Sequence, residues 1–334
     1  MKLIIPMAGR GTRVRPHSHV TPKPLLPVKG KSMVERIVDT FNQVLPRALD
    51  AGVFVLGPDF GDEVRAQLAD ICRRHDMEAH FAVQEQALGT AHAVYAAEAH
   101  LDGEGIVVFA DTLFYMEPVE HLEEADVVAW VKWVEDPRRF GVAVREGDRI
   151  KALVEKPKEP ISHEALIGIY YVKDLTTLRA AIAELIGLDI KGHGEYQLTD
   201  ALDRMLQAGR VFKTATVTDW LDCGTIPALL ETTKVILDRE RDDLRQGTIE
   251  NSVVIDPVYV GPGAVVRNAV VGPNVSIEAG AHVEQSVLRE SIVFGEAHVE
   301  GAVLADTLVG RHAVVRDAPR VLNIGDHSEV GPRG

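Results

Sequence analysis

Apolar residues first gather at Leu3-Ile4-Ile5, and the run gives way to Gly9-Arg10-Gly11-Thr12-Arg13 and a stretch broken by Pro16, Pro22, Pro24 and Pro27. A short apolar run followed by turn formers reads as a strand and a long loop. Ser32 and Glu35 stand at capping-box spacing before an apolar-periodic segment from Met33 to about Val44, which predicts a helix. The alternation repeats with strands at Val53 to Leu56, Ala79 to Val83 and Ile106 to Ala110, and helices at Asp62 to His75 and Thr90 to Ala99. Such βα alternation predicts the α/β class, a mainly parallel, Rossmann-like sheet with helices on both faces. Ligands of these sheets sit beyond the carboxyl ends of the strands, where the glycine loop, Gln84 and Asp111 fall.

From Asp126 to Val172 apolar alternation continues in strands, and helices are predicted near Asp174 to Ile186 and Leu198 to Ala208. This half would complete the sheet and add a lid. Trp130 and Trp133 lie in one apolar strand and read as core, not as sugar platforms. A polar helix from about Pro227 to Arg245 precedes a tail of different texture. Two domains are expected, 1–247, with 226–247 as a connecting helix, and 248–334. In the tail apolar residues recur every five or six positions, from Val260, Val266, Val271 and Ile277 on to Val309 and Val315. Val260-Gly-Pro-Gly-Ala and Val271-Gly-Pro-Asn-Val are near-copies of a hexapeptide unit. Turns this short bury their apolar edge only by stacking on the next, so a parallel β-helix of fewer than about four coils is expected.

Length agrees with two domains, since each part of the 334-residue chain can bury its own core. No window reaches the roughly 18 uninterrupted apolar residues of a membrane span, and Leu3-Ile4-Ile5 is too short for a signal-peptide core. A cytoplasmic protein without membrane contact is therefore expected. Cys72 and Cys223 offer neither a disulfide framework nor a CxxC pair and read as buried thiols. A net charge of −14 argues against broad nucleic-acid binding, yet seven basic residues (Arg10, Arg13, Arg15, Lys23, Lys29, Lys31 and Arg36) stand against Glu35 alone in the segment 10–36. That concentration suits a small polyanion such as a nucleotide.

Gly9-x-Gly11 lacks the third glycine of the dinucleotide fingerprint, and GxxxxGK[ST] is absent. Glycines without Cβ atoms still let backbone N–H groups approach phosphate oxygens. The whole string Gly9-Arg-Gly11-Thr12-Arg13-Val-Arg-Pro16 with Pro22-Lys23-Pro24-Leu25-Leu26-Pro27-Val28 resembles the signature of the sugar-1-phosphate nucleotidyltransferases. The resemblance continues through Gln84, Leu88-Gly89-Thr90-Ala91, Asp111, Phe140-Gly141-Val142, Glu155-Lys156-Pro157, Gly168-Ile-Tyr170, Gly194-Glu195, Leu198-Thr199-Asp200 and Trp220-Leu221-Asp222-Cys223-Gly224-Thr225, and covers residues 1 to about 235. The tail resembles the left-handed β-helix that many of these enzymes append. Gly325-Asp326-His327-Ser328-Glu329-Val330 looks like the end of the longer glucose-1-phosphate thymidylyltransferases.

The resemblance implies joining of a nucleoside triphosphate to a sugar 1-phosphate with release of pyrophosphate. The attacking phosphate oxygen is already ionised, so cations and positioning must supply the catalysis. Arg13 would grip the triphosphate and Lys23, held between two prolines, would sit at the α-phosphate. Asp111 and Asp222 would share one hard cation with phosphate oxygens, for which Mg²⁺ is the natural choice. Gln84 and backbone of Ala8, Gly9 and Gly89 would form the base pocket, with Gly11, Thr12 and Arg13 completing the nucleotide site. Glu155, Lys156, Gly168 and Glu195 would bind the sugar phosphate. His282, His298 and His312 in the tail read as a solvated edge, not as a metal or acyl-transfer site.

The favoured pair is dTTP with glucose 1-phosphate. UTP with a hexose or N-acetylhexosamine 1-phosphate stays open, as does GTP with mannose 1-phosphate, because purine-using relatives carry an acid in the segment where Glu85 stands. A non-catalytic assembly subunit is the reading of a different class, which the presence of Arg13, Lys23, Asp111 and Asp222 opposes. Exposed β-helix edges suggest a homo-oligomer.

Overall fold

Residues 1–9, 11–242 and 244–317 are described by a computed structural model of the chain. It divides into two compact units, the first Met1–Thr232 and the second from Thr233 onward.

The first unit alternates strands and helices as the apolar periodicity predicts. Strand β1 (Lys2–Pro6) is followed by α1 (Met33–Val44), β2 (Ala51–Leu56), α2 (Asp62–Arg74), β3 (Glu78–Val83), α3 (Thr90–Tyr95), β4 (Gly105–Val108) and β5 (Thr112–Tyr115). Then come β6 (Val127–Trp133), β7 (Gly141–Glu146), β8 (Arg149–Glu155), β9 (Glu164–Val172), α4 (Leu175–Gly187), α5 (Leu198–Gln207), β10 (Phe212–Thr216), β11 (Asp219–Asp222) and α6 (Ile226–Arg239). Ser32 caps α1 as its spacing predicts, its side chain accepting from the Glu35 N–H at 3.2 Å.

Nine strands form one sheet in the order β3-β2-β1-β4-β9-β6-β10-β8-β7. Only β9 and β8 run against the other seven, so the sheet is mainly parallel. Both its faces are buried, which explains the near-continuous apolar runs. Ile4, Val53, Val55 and Val107 join one core with Ala91, Val94, Leu178, Ile182, Leu198 and Leu202 of α3, α4 and α5. On the alternate residues Phe54 stacks on Phe81, and Gly52 faces Cys72 of α2 so closely that a Cβ there would lie 2.9 Å from its Sγ. Both cysteines are buried free thiols, pushed up by burial to about 11 for Cys72 and about 12 for Cys223.

Three expectations are corrected. Trp130 is fully buried, but Trp133 is 67% exposed and stacks on His163 at 5.6 Å. Three positions along a strand place two side chains on opposite faces, so one strand could not send both tryptophans into the same core. The helix expected over 226–247 ends at Arg239, where the Arg241 side chain turns back to donate to the Asp238 carbonyl at 2.8 Å. Beyond it Gln246 and Gly247 already donate to the Val260 carbonyl.

The β-helix, finally, is longer than fewer than about four coils. Its strands stack in three parallel sheets of five, four and four, giving four coils and the start of a fifth among the described residues. Successive coils repeat at Thr248, Val265, His282, His298 and Val314, a period of 16 or 17 residues. Val258, Val266, Val271, Ile277, Val283, Leu288, Val293 and Val299 fill its axis. One corner carries Asn251, Asn268, Gln285 and Gly301, all at positive φ, a conformation that glycine and asparagine adopt at little cost. The unit is a left-handed parallel β-helix. The segment Gly325–Val330 lies outside the described residues. Among those described, no helix is long and apolar enough to cross a membrane.

Candidate active site

The loops after β1, β3 and β4 all leave the sheet at its carboxyl edge, and they enclose a cavity of ≈ 820 Å³. Its walls include Ala8, Gly9, Gly11, Thr12, Arg13 and Lys23 from the first loop, Gln84 and Gly89 from the second, and Asp111 from the third. Gly168, Glu195 and Asp222 complete the set of nominated residues that the fold brings together. Glu155 and Lys156 are outside this lining. Glu155 accepts from Thr199 Oγ1 at 2.7 Å, and the Lys156 N–H donates at 3.1 Å to the carbonyl of Phe140, a cleft residue.

Asp111 and Asp222 meet through a two-stranded antiparallel ribbon. β5 pairs with β11 so that Asp222 faces Thr112, and the Cys223 N–H donates to the Asp111 carbonyl at 3.1 Å. The Asp222 carboxylate is oriented by the Gly224 N–H at 2.7 Å. A Cβ at Gly224 would lie 2.8 Å from that carboxylate oxygen and 3.5 Å from Arg13 Nη2, so glycine leaves room for both charged groups. Two carboxylates on the wall of one cavity form a hard, anionic donor pair that fits a small divalent cation whose other ligands come from phosphate and water.

Lys23 is 8% exposed in a one-turn 3₁₀ segment, Lys23–Leu25, whose flanking prolines stiffen it. Burial pulls its pKa below the usual lysine value, with Arg13 adding to the effect, while Asp111, Cys223 and Asp222 oppose it. Gly11, at φ 56°, packs so closely that a Cβ there would sit 3.0 Å from Lys23 Cβ. Of the basic cluster expected at 10–36, Arg13 and Lys23 face the cavity, whereas Arg36 donates to the Val28 and Lys29 carbonyls and Lys31 pairs with Asp39. Arg10 lies outside the described residues.

Gly89 has φ 120°, and a Cβ there would fall 2.5 Å from the Tyr196 carbonyl oxygen and 2.7 Å from its nitrogen. That backbone is fixed, because Tyr196 N–H donates to Leu88 and the Tyr196 carbonyl accepts from Ala91, both at 2.9 Å. Gly89→Ala is therefore expected to destabilise the protein by about 1–3 kcal/mol in urea unfolding. A loss below about 0.5 kcal/mol would mean that this loop yields easily.

Sequence reasoning missed Arg139, Phe140 and Trp220 as cleft residues. Phe140 and Trp220 pack edge to face at 5.3 Å, and both belong to the quoted motifs, so the signal was present without a role attached. Gly168 reaches the cavity at an irregularity of β9 between Leu166 and Tyr170, where its carbonyl accepts from the Phe109 N–H at 3.0 Å. In the tail, His282 and His298 stack at 4.7 Å in register, and His312 sits at a turn with φ 58°. Among the described residues no three His, Cys, Asp or Glu side chains converge as a metal cluster.

The family described as nucleotidyl transferase matches residues 2–239, and a GlmU-like C-terminal hexapeptide family matches residues 233–331. A glucose-1-phosphate thymidylyltransferase of Streptomyces griseus is 29% identical over 99% of both chains. The bifunctional protein GlmU of Methanocaldococcus jannaschii is 30% identical over 79% of this chain and 61% of its own length. Among solved structures, a putative glucose-1-phosphate thymidylyltransferase from Bacillus anthracis superposes with a TM-score of 0.58 at 26% identity, covering 70% of this chain and 94% of that one. A UDP-glucose pyrophosphorylase complexed with UDP-glucose shares the fold at a TM-score of 0.57 and 22% identity, over 72% of this chain and 99% of that one. The chain thus belongs to the sugar-1-phosphate nucleotidyltransferase family and carries that family's enzyme type on its first unit, with a hexapeptide-repeat β-helix following in the sequence.

Proposed function

We propose that the cavity transfers a thymidylyl group from dTTP to glucose 1-phosphate with Mg²⁺, giving the nucleotide sugar and pyrophosphate, in the cytoplasm. The observation that carries this reading is the β5–β11 ribbon, which sets Asp111 and Asp222 beside Lys23 and Arg13 in the cavity. A sugar phosphate oxygen attacks the α-phosphorus, forming one P–O bond while the α–β bridge breaks and its electron pair leaves with pyrophosphate. No protein nucleophile is required, so the barrier lies in bringing two polyanions together.

In this reading Lys23 holds the α-phosphate and Arg13 the departing pyrophosphate, and backbone N–H groups from Gly11 and Thr12 meet the remaining oxygens. Asp111 and Asp222 would hold Mg²⁺, which when bound supplies charge neutralisation at the phosphate oxygens. Gln84, with the backbone of Ala8, Gly9 and Gly89, reads the base. Gly168 and Glu195 line the sugar side, and Lys156 with Glu155 approaches it from behind Phe140.

Thymine is favoured over other bases by the thymidylyltransferase relative that matches end to end. UTP ranks second because uracil presents the same hydrogen-bonding edge, and GTP with mannose 1-phosphate ranks third. The test is pyrophosphate release by the purified protein with Mg²⁺, across dTTP, UTP, GTP, ATP and CTP crossed with glucose, N-acetylglucosamine, mannose and galactose 1-phosphates. The dTTP and glucose pair is expected to dominate. Another single dominant pair would replace the substrate assignment, and no release from folded protein would favour a non-catalytic assembly role.

Self-association through the β-helix is part of the proposal. Val253, Val270, Val287 and Val303 stand in register in one column, in which Val253, Val287 and Val303 are 57%, 42% and 78% exposed and Val270 is half-buried. Sedimentation velocity of Val287→Lys should show dissociation relative to the unaltered protein, and a monomer in both would remove the claim.

A further inference from the structure

Gln84 follows β3 directly and is 7% exposed on the cavity wall. Its Nε2 donates to the Gly89 carbonyl at 3.2 Å and lies 3.1 Å from His92 Nδ1. A carbonyl oxygen can only accept, so the atom facing Gly89 must be the amide nitrogen. Turning the amide over would set two oxygens against each other at that distance. The second amide hydrogen then points at His92, and a bond forms there only if Nδ1 is bare and the ring hydrogen sits on Nε2. Burial holds the His92 pKa below the usual histidine value, which favours that neutral ring.

Both hydrogens of the Gln84 amide are thereby engaged by protein, and Oε1 remains. It is the acceptor of an amide whose residue lines the cavity wall, and both donors beside it are already committed to Gly89 and His92.

We propose that His92 is the positioning residue that sets base specificity: by accepting from Gln84 Nε2 it holds the amide oxygen toward the nucleotide. That selects a base with an N–H on its ring edge, as thymine and uracil offer at N3, over cytosine, whose N3 is itself an acceptor. The inference rests on the reading of Gln84 as the residue that meets the base. His92 itself touches no substrate in this arrangement. Its Nδ1 is an acceptor whose loss leaves an amide hydrogen of Gln84 facing an apolar wall, so that Gln84 swings off its bonds instead of bearing an unpaired donor.

The test is steady-state kinetics of the full chain with dTTP and CTP at saturating glucose 1-phosphate, for His92→Leu, His92→Asn and Gln84→Ala. His92→Leu is expected to raise KM for dTTP about tenfold with kcat within about twofold, and to lower the preference for dTTP over CTP in kcat/KM by about tenfold. Asparagine places Oδ1 where Nδ1 stood, so His92→Asn should restore most of that preference. His92→Phe, closer to the ring in shape, replaces the leucine variant if thermal melting shows the latter unfolded. If Gln84→Ala loses the preference and His92→Leu keeps it, the His92 assignment is overturned while the Gln84 reading stands. Should Gln84→Ala leave the preference intact, the base reading itself fails and takes the inference with it. Equal loss of kcat in the leucine and asparagine variants would mark a purely structural role and would also overturn it.

Discussion

Replacing Lys23 by methionine is expected to lower kcat on the order of 100-fold while the melting temperature holds or rises. Methionine keeps an unbranched stem of similar length and removes the ammonium. On the proposed assignment the catalytic loss would follow from taking one positioned cation from the α-phosphate, in a site where Lys23 is 8% exposed and its charge is poorly screened by water. The stability gain has the opposite origin. Burial pulls the Lys23 pKa below its usual value, so in the folded state the charged form is disfavoured. Below the folded-state pKa the lysine is charged in both states and folding bears that cost. The cost fades as pH rises from the folded-state pKa to the ordinary lysine value, and methionine removes it at every pH.

The same shift has a kinetic sign. In the free enzyme Lys23 loses its proton earlier than an exposed lysine would, so the alkaline fall of kcat/KM should begin below the ordinary lysine range. A pH profile and thermal melts of Lys23→Met and Lys23→Arg test both halves. Arginine stays charged and should carry activity further into the alkaline range. A loss below tenfold in the methionine variant would take Lys23 away from the α-phosphate.

The second large effect is expected at the carboxylate pair. Asp222→Asn keeps an oxygen for the Gly224 N–H at 2.7 Å and removes only the charge. Asp111→Asn likewise removes only the charge of the second carboxylate. Each is expected to cut kcat on the order of 100-fold and to raise the Mg²⁺ concentration needed for half-maximal rate. If the pair holds one ion as proposed, the double variant should lose little more than either single one, because two ligands of one ion act as a unit. Mg²⁺ titration of the initial rate separates the outcomes. Unchanged Mg²⁺ dependence in both variants would mean that the pair serves another purpose, and full additivity would mean that the two carboxylates act apart.

Much of this site was legible in advance because its parts are carried by local strings. The glycine loop, Pro22-Lys23-Pro24 and Trp220-Leu221-Asp222 are each visible without knowledge of their neighbours; the first two lie in the long connection after β1, and the third lies in β11. Lys156 and Glu155 also sit in a recognisable string, yet they are bonded to Phe140 and Thr199 and do not line the cavity. Arg139 lacked a signal because nothing in its local sequence separates it from Arg138, which turns away to pair with Asp136 at 2.8 Å. His92 was hidden for a related reason. A histidine on a short helix carries no mark of its use until the amide eight positions earlier is seen to face it.

The chain by itself determined the βα alternation, the capped start of α1, the end of the apolar runs in loops and the short period of the tail. Those properties depend on the spacing of neighbouring side chains, and a period of two, of 3.6 or of a hexapeptide can be read along one strand of text. Only the tertiary structure decided which distant residues meet. Asp111 and Asp222 are brought together by the register of β5 on β11, Gly168 enters the cavity at an irregularity of β9, and Trp133 turns outward at a strand end. Register and strand order are set by how whole faces pack against one another, and that is a sum over many weak contacts that no local window contains.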